Sequence, residues 1–214
     1  MDIGQNVLDI RKRCGAAVIV AVSKTRPLSR VEEAYSAGIR DFGENYLQEA
    51  EQKIPLVRHE DIRWHFIGTL QTNKVKKAVE LFSVIQSVNS RKLIDEIDKR
   101  CVTFGKVMEI MVEIYLGEEQ NKSGIALHDA EELISYAMTK KNLRLIGIMM
   151  MAPNIPPEER RAYFRAAKEF FDAMKKKYPS LTHLSMGMTD DFGIALQEGS
   201  TMVRIGTGIF GMRE

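Results

Sequence analysis

Lys24 stands just past seven consecutive apolar residues, Ala16 to Val22. Its stem therefore starts in a core, where desolvation disfavours the ammonium and leaves an amine suited to Schiff-base chemistry. A lone lysine in such a place more often carries its amine out to water along its apolar stem. Near the other end, Arg204-Ile205-Gly206-Thr207-Gly208 offers consecutive backbone N–H groups with little side chain to block them, followed by a hydroxyl. That is the make-up of a phosphate cradle, although the run taken alone also reads as a glycine-rich turn. Gly206, Gly208 and Gly211 spell G-x-G-x-x-G as well, but so close to Glu214 that no following helix and no acidic residue about twenty positions on are expected. A dinucleotide site is excluded on that ground.

Residues so far apart need a fold to bring them together. Eight short β-branched and apolar runs alternate with stretches of helical period: Ala17 to Ser23, Ile39 to Gly43, Arg63 to Ile67, Leu81 to Val88, Val107 to Tyr115, Leu143 to Met151, His183 to Met186 and Met202 to Ile205. The helices expected between them cover 2–13, 29–37, 45–53, 73–80, 90–100, 128–139, 157–177 and 190–198. Ser29-Arg30-Val31-Glu32 reads as a capping box, Ser90 as a helix cap, and Pro156-Pro157-Glu158-Glu159 as the opening of the longest helix. With 214 residues, each βα unit has about 27, the size a (β/α)8 TIM-type barrel needs. A doubly wound open sheet is the rival, disfavoured by the lack of a dinucleotide motif at the first turn. The expectation is one domain, 1–214, with an N-terminal helix.

In such barrels chemistry gathers at the C-terminal strand ends. Those ends carry Ser23-Lys24-Thr25, Glu44-Asn45, His65 and Thr69, Ser87, Glu118 to Ser123, Ser185, and Arg204 with its glycine loop. His65 reads as a satisfied strand histidine rather than an acid or base. Four scattered histidines and two distant cysteines, Cys14 and Cys101, give no metal spacing, so no metal is expected. A net charge of +2 names no nucleic acid partner, and no apolar run is long enough to span a membrane. Arg11-Lys12-Arg13 before the apolar run mimics a secretory signal, but Ile3, Val7, Leu8 and Ile10 recur at helical spacing, so cytoplasmic residence is expected.

A lysine on one side of a barrel mouth and a phosphate cradle on the other suit pyridoxal 5'-phosphate (PLP), whose aldehyde and phosphate lie across its ring. Arg204 stays protonated, so it would donate to the pyridine nitrogen and make the ring a weaker electron sink than an aspartate partner would. A buried ion pair is the other use for such an arginine. Six motifs in order, Ala21-Val22-Ser23-Lys24-Thr25, Phe42-Gly43-Glu44-Asn45, Trp64-His65-Phe66-Ile67-Gly68, Lys122-Ser123-Gly124, Leu184-Ser185-Met186-Gly187-Met188 and Val203-Arg204-Ile205-Gly206-Thr207, resemble the PLP homeostasis proteins (YggS/PROSC family) over nearly the whole chain. The resemblance implies a fold-type III PLP barrel similar to the N-terminal domain of alanine racemase. It further implies Lys24 as the lysine in Schiff-base linkage to the cofactor, Asn45 beside it, Arg204 at the pyridine nitrogen, and Ser185, Gly206 and Thr207 at the phosphate.

The function so implied is carrying or buffering PLP in vitamin B6 and amino-acid/keto-acid homeostasis, with no catalytic residue assigned. Partners would be PLP and PLP-dependent apo-enzymes, and a monomer is expected. Racemisation needs a second base, which alanine racemase-like enzymes take from a further β domain, and none is expected within ten residues of Arg204. The alternatives are a PLP-dependent amino-acid racemase and a cofactor-free Schiff-base aldolase barrel. Gln86 and Asn89 replace a His and an Asp common in the relatives, and Tyr115 replaces a frequent Asn; these departures are expected to touch the open face rather than the lysine or phosphate groups.

Overall fold

The computed structural model describes residues 2–116 and 123–212, so of the expected loop after the fifth strand only Ser123 is described. Eight parallel strands form the wall: β1 (Val18–Val22), β2 (Asp41–Glu44), β3 (Arg63–Phe66), β4 (Val84–Val88), β5 (Met108–Tyr115), β7 (Leu143–Met151), β8 (His183–Ser185) and β9 (Met202–Ile205). Each pairs with its sequence neighbour, and β9 returns to β1 with Val20 opposite Arg204, which closes the ring. A two-residue strand not expected from the sequence, β6 (Ile125–Ala126), adds to the end of β5. The chain is a (β/α)8 barrel.

Strands covered on both faces need apolar residues at nearly every position, which is why the runs are continuous rather than alternating. Inward-pointing Val20, Val84, Met111, Ile146, Met149 and Met202 fill the barrel, while the opposite faces pack beneath the helices. The outer ring comprises α1 (Ile3–Cys14), α2 (Leu28–Ser36), α3 (Leu47–Lys53), α4 (Val75–Leu81), α5 (Arg91–Phe104), α6 (Leu127–Met138), α7 (Arg161–Lys177) and α8 (Phe192–Gln197). Ser90 caps α5 as expected, its Oγ accepting from the Leu93 N–H.

Three expectations are corrected. Helix α2 starts at Leu28 with Pro27 as its cap residue, so Ser29 lies inside it and makes no capping box. Pro157 opens a 3-10 turn, Pro157–Arg160, and the α-helix begins only at Arg161. The glycine loop runs into a one-turn helix, α9 (Thr207–Phe210), where no helix was expected.

Candidate functional site

Three strand ends meet at the C-terminal mouth. β1 releases the chain into Ser23-Lys24-Thr25, β2 into Asn45, and β9 presents Arg204 and then the Gly206-Thr207 turn. Lys24, Asn45, Arg204, Gly206 and Thr207 border one cavity of about 230 Å³, together with Thr189 and apolar walls from Val22, Ile67 and Met151. That is room for several waters, on the scale of one substituted ring. Larger hollows of about 320 and 600 Å³ lie at the opposite end, bordered by Arg40 and Asp41 and by Arg63, Glu109 and Arg144. Arg40, Arg63 and Arg144 are engaged in ion pairs, and that end of a barrel carries stability rather than chemistry.

Arg204 is 4% exposed and held from below. Nη1 donates to the Ser185 carbonyl and Oγ, both at 2.8 Å, and Nη2 donates to the Met150 carbonyl at 3.0 Å. Burial pushes its pKa down to about 10, opposed by the negative charges of Glu113 and Asp191, so the guanidinium remains a cation at neutral pH. The Nε–H makes no hydrogen bond to the described residues, and Arg204 is among the residues that border the cavity.

On the opposite side Ile209 and Phe210 donate back to the Gly206 carbonyl, and Gly208 N–H donates to Thr189 Oγ1 at 3.1 Å. The N–H groups of Gly206 and Thr207 have no protein acceptor among the described residues, which suits an anion at that corner. Ser185 does not share it. Its Oγ accepts from Arg204 and donates to Gln86 Oε1 at 2.8 Å inside the barrel, so it stands behind the cavity rather than on it. Besides Thr207, this wall carries Thr189, which sequence reasoning missed: Gly187, at φ +92°, turns the chain after β8 and re-aims Met188 and Thr189. A Cβ on Gly187 would lie 2.6 Å from that of Ala195, so the turn demands glycine.

Asn45 Oδ1 is buried without a hydrogen-bond partner among the described residues, an acceptor that a ligand in the cavity would satisfy. Asn45 is pressed in place by Gly68, where a Cβ would fall 2.1 Å from the Asn45 carbonyl oxygen. The Lys24 turn is braced from outside. Lys53 Nζ donates to the Ser23 carbonyl at 2.8 Å, to Glu44 Oε1 at 2.7 Å and to Glu49 Oε1 at 2.6 Å, and Glu49 Oε1 in turn accepts from the Thr25 N–H. Thr25 sits at φ +62°, an uncommon conformation for a β-branched residue, directly after the lysine. Two buried acids had no role assigned from the sequence. Glu44 donates nothing and accepts from both Ser23 Oγ and Lys53; Glu113 accepts from Ser123 Oγ, and burial raises the pKa of both acids. The only signal for Glu113 was a charge inside the apolar run of β5.

His65 is fully buried and bonded at both ring nitrogens, to Asp41 and Gln86, in keeping with a structural role. Gln86 is therefore in the barrel interior, which corrects its expected place on the open face. Among the described residues no helix is long and apolar enough to cross a membrane.

The family description "Alanine racemase, N-terminal domain" matches residues 2–214. The pyridoxal phosphate homeostasis protein of Aquifex aeolicus is 39% identical over 200 residues, covering 92% of this chain and 88% of its own. That of Escherichia coli K12 is 35% identical over 233 residues, covering 100% and 97%. Among solved structures, PipY of Synechococcus elongatus with PLP bound superposes with a TM-score of 0.89 at 33% identity, over 98% of this chain and 100% of that one. Alanine racemase of Clostridium difficile shares the fold, with a TM-score of 0.81 at 12% identity, this chain spanning 56% of it. With that barrel, those motifs and relatives matched from end to end, the chain belongs to the pyridoxal phosphate homeostasis protein family.

Proposed function

We propose that this protein binds PLP in the cavity at the barrel mouth and carries or buffers it in vitamin B6 and amino-acid/keto-acid homeostasis. The observation that carries the reading is the cavity itself: a lysine, a caged cationic donor, an unsatisfied buried Asn45 oxygen and two unpaired backbone N–H groups around a space sized for one ring. When bound, the cofactor supplies an aldehyde, a ring nitrogen and a phosphate. Lys24 would hold it through its amine, Asn45 would stand beside the ring, Arg204 would donate to the ring nitrogen, and Gly206, Thr207 and Thr189 would receive the phosphate. PLP bound to PipY and the names of the curated relatives support the same reading.

Arg204 also supports retention over turnover. A guanidinium that stays charged leaves the ring nitrogen unprotonated, which weakens the electron withdrawal that carbanion chemistry requires. The reading extends to a single-domain monomer, 1–214, resident in the cytoplasm, that hands PLP to PLP-dependent apo-enzymes. Purified protein should absorb in the visible, and borohydride reduction followed by peptide mapping should find the pyridoxyl group on Lys24 and none in Lys24→Ala. Colourless protein, or a label spread over surface lysines, would defeat the proposal. Rapid α-deuterium exchange of an amino acid would instead favour a racemase.

A further inference from the structure

Polar side chains inside the barrel form one connected line that ends at Arg204. Asp41 Oδ1 lies 2.9 Å from His65 Nε2, His65 Nδ1 lies 2.9 Å from Gln86 Nε2, Gln86 Oε1 lies 2.8 Å from Ser185 Oγ, and Ser185 Oγ lies 2.8 Å from Arg204 Nη1. The three middle residues are wholly buried.

The two ends dictate the direction of every bond between them. A guanidinium only donates and a carboxylate only accepts. Ser185 therefore accepts from Arg204 and directs its single hydrogen to Gln86 Oε1. That turns the Gln86 amide so that its NH2 faces His65, whose Nδ1 must be a lone pair. The ring is then neutral, with its hydrogen on Nε2 donated to Asp41. Reversing the amide would aim the His65 Nε2 lone pair at the Asp41 carboxylate and set two donors against Ser185 with no acceptor for its own hydrogen. Burial holds the imidazole below its ordinary pKa, in agreement with the neutral ring.

We propose that the line Asp41, His65, Gln86 and Ser185 is a positioning device: together with the Ser185 and Met150 carbonyls it fixes the plane of the Arg204 guanidinium and thereby sets how that group meets the ring nitrogen of a cofactor in the cavity. Gln86 is the pivot, because it alone joins the His65–Asp41 half to the Ser185–Arg204 half. The ligand named rests on the PLP reading above; the geometry does not.

The experiment is nitrogen NMR, first without cofactor. In the wild type, His65 should show a protonated Nε2 and a hydrogen-bonded, unprotonated Nδ1, and Arg204 a single protected Nε–H signal. Gln86→Leu keeps the bulk of the side chain and removes both bonds, and it should shift or broaden the Arg204 Nε–H signal. Ser185→Ala, a smaller change that breaks the last link, should do the same and serves if Gln86→Leu does not fold. Met111→Leu, an apolar change in the same interior, should leave the signal in place. With ring-labelled PLP added, the ring-nitrogen shift should move in the first two variants only. A wild-type His65 protonated at Nδ1, or an Arg204 Nε–H signal indifferent to both polar variants, overturns the inference. Wild-type protein that takes up no PLP defeats the proposed function, while the cofactor-free Arg204 signal still decides this one.

Discussion

Lys53 is 7% exposed, and its ammonium donates to three oxygens around the Lys24 turn. Lys53→Met retains most of the stem and deletes all three bonds. Glu44, 0% exposed, would keep only the Ser23 hydroxyl, bonded at 2.7 Å. Stranding one member of a buried ion pair costs about 3–5 kcal/mol. Acid offers an escape. Burial already raises the Glu44 pKa above its ordinary 4.5, and Lys53 is the strongest influence in the other direction, so deleting it raises the pKa further. Between the unfolded and the raised folded value, the folded variant holds a proton that the unfolded chain has released. Stability therefore falls as pH rises through that window and returns as pH falls through it. The penalty of Lys53→Met, measured by urea denaturation with unchanged slope, should be greatest near pH 8 and shrink toward pH 5. Ser23→Ala, which removes one hydrogen bond to the same carboxylate, should cost about 1–3 kcal/mol. A Lys53→Met penalty below about 1 kcal/mol, or one equal at both pH values, would refute the claim that the pair is desolvated and coupled.

Gly68→Ala must push the Asn45 backbone out of its place; it should destabilise the fold by about 1–3 kcal/mol and weaken PLP retention in equilibrium dialysis. Thr25→Gly keeps the left-handed backbone but removes its steric penalty and should leave thermal stability equal or up to about 1 kcal/mol higher, whereas a clear loss would show that the turn is unstrained. His65 should remain neutral as pH is lowered from 8 to 5.5, seen as flat ring-proton shifts, since burial outweighs Asp41. Because the unfolded chain then binds the proton first, His65 favours folding above about pH 6.5 and opposes it below.

The barrel was legible because its strands are buried on both faces: Leu143–Met151 and Met202–Ile205 were bounded to the residue, each preceded by a polar residue and followed closely by a proline or a glycine. The apolar pattern places Leu81 in β4, yet it closes α4, since an apolar residue at an element boundary fits either period. The cavity residues Lys24, Asn45, Arg204, Gly206 and Thr207 were legible as strand ends with glycine nearby. Ser185, expected at the cavity, is sent inward beside Arg204 by strand parity, and a positive-φ turn at Gly187, invisible to composition, brings Thr189 to the cavity wall. Lys53 escaped notice, and the bonding of Glu44 and Gln86 was not read, for a related cause: their partners come from other elements.

Lys24 leaves β1 and the Gly206-Thr207 turn leaves β9, strands at opposite ends of the sequence that pair directly at the seam of the ring. Contacts of such long separation form late, after the intervening chain has been ordered. A nascent polypeptide that still lacks its last strand has Lys24 but not the Gly206-Thr207 turn or the pairing that sets the two side by side. Loading must therefore await ring closure, and cofactor uptake by chains released at graded lengths would serve as a clock for the final folding step.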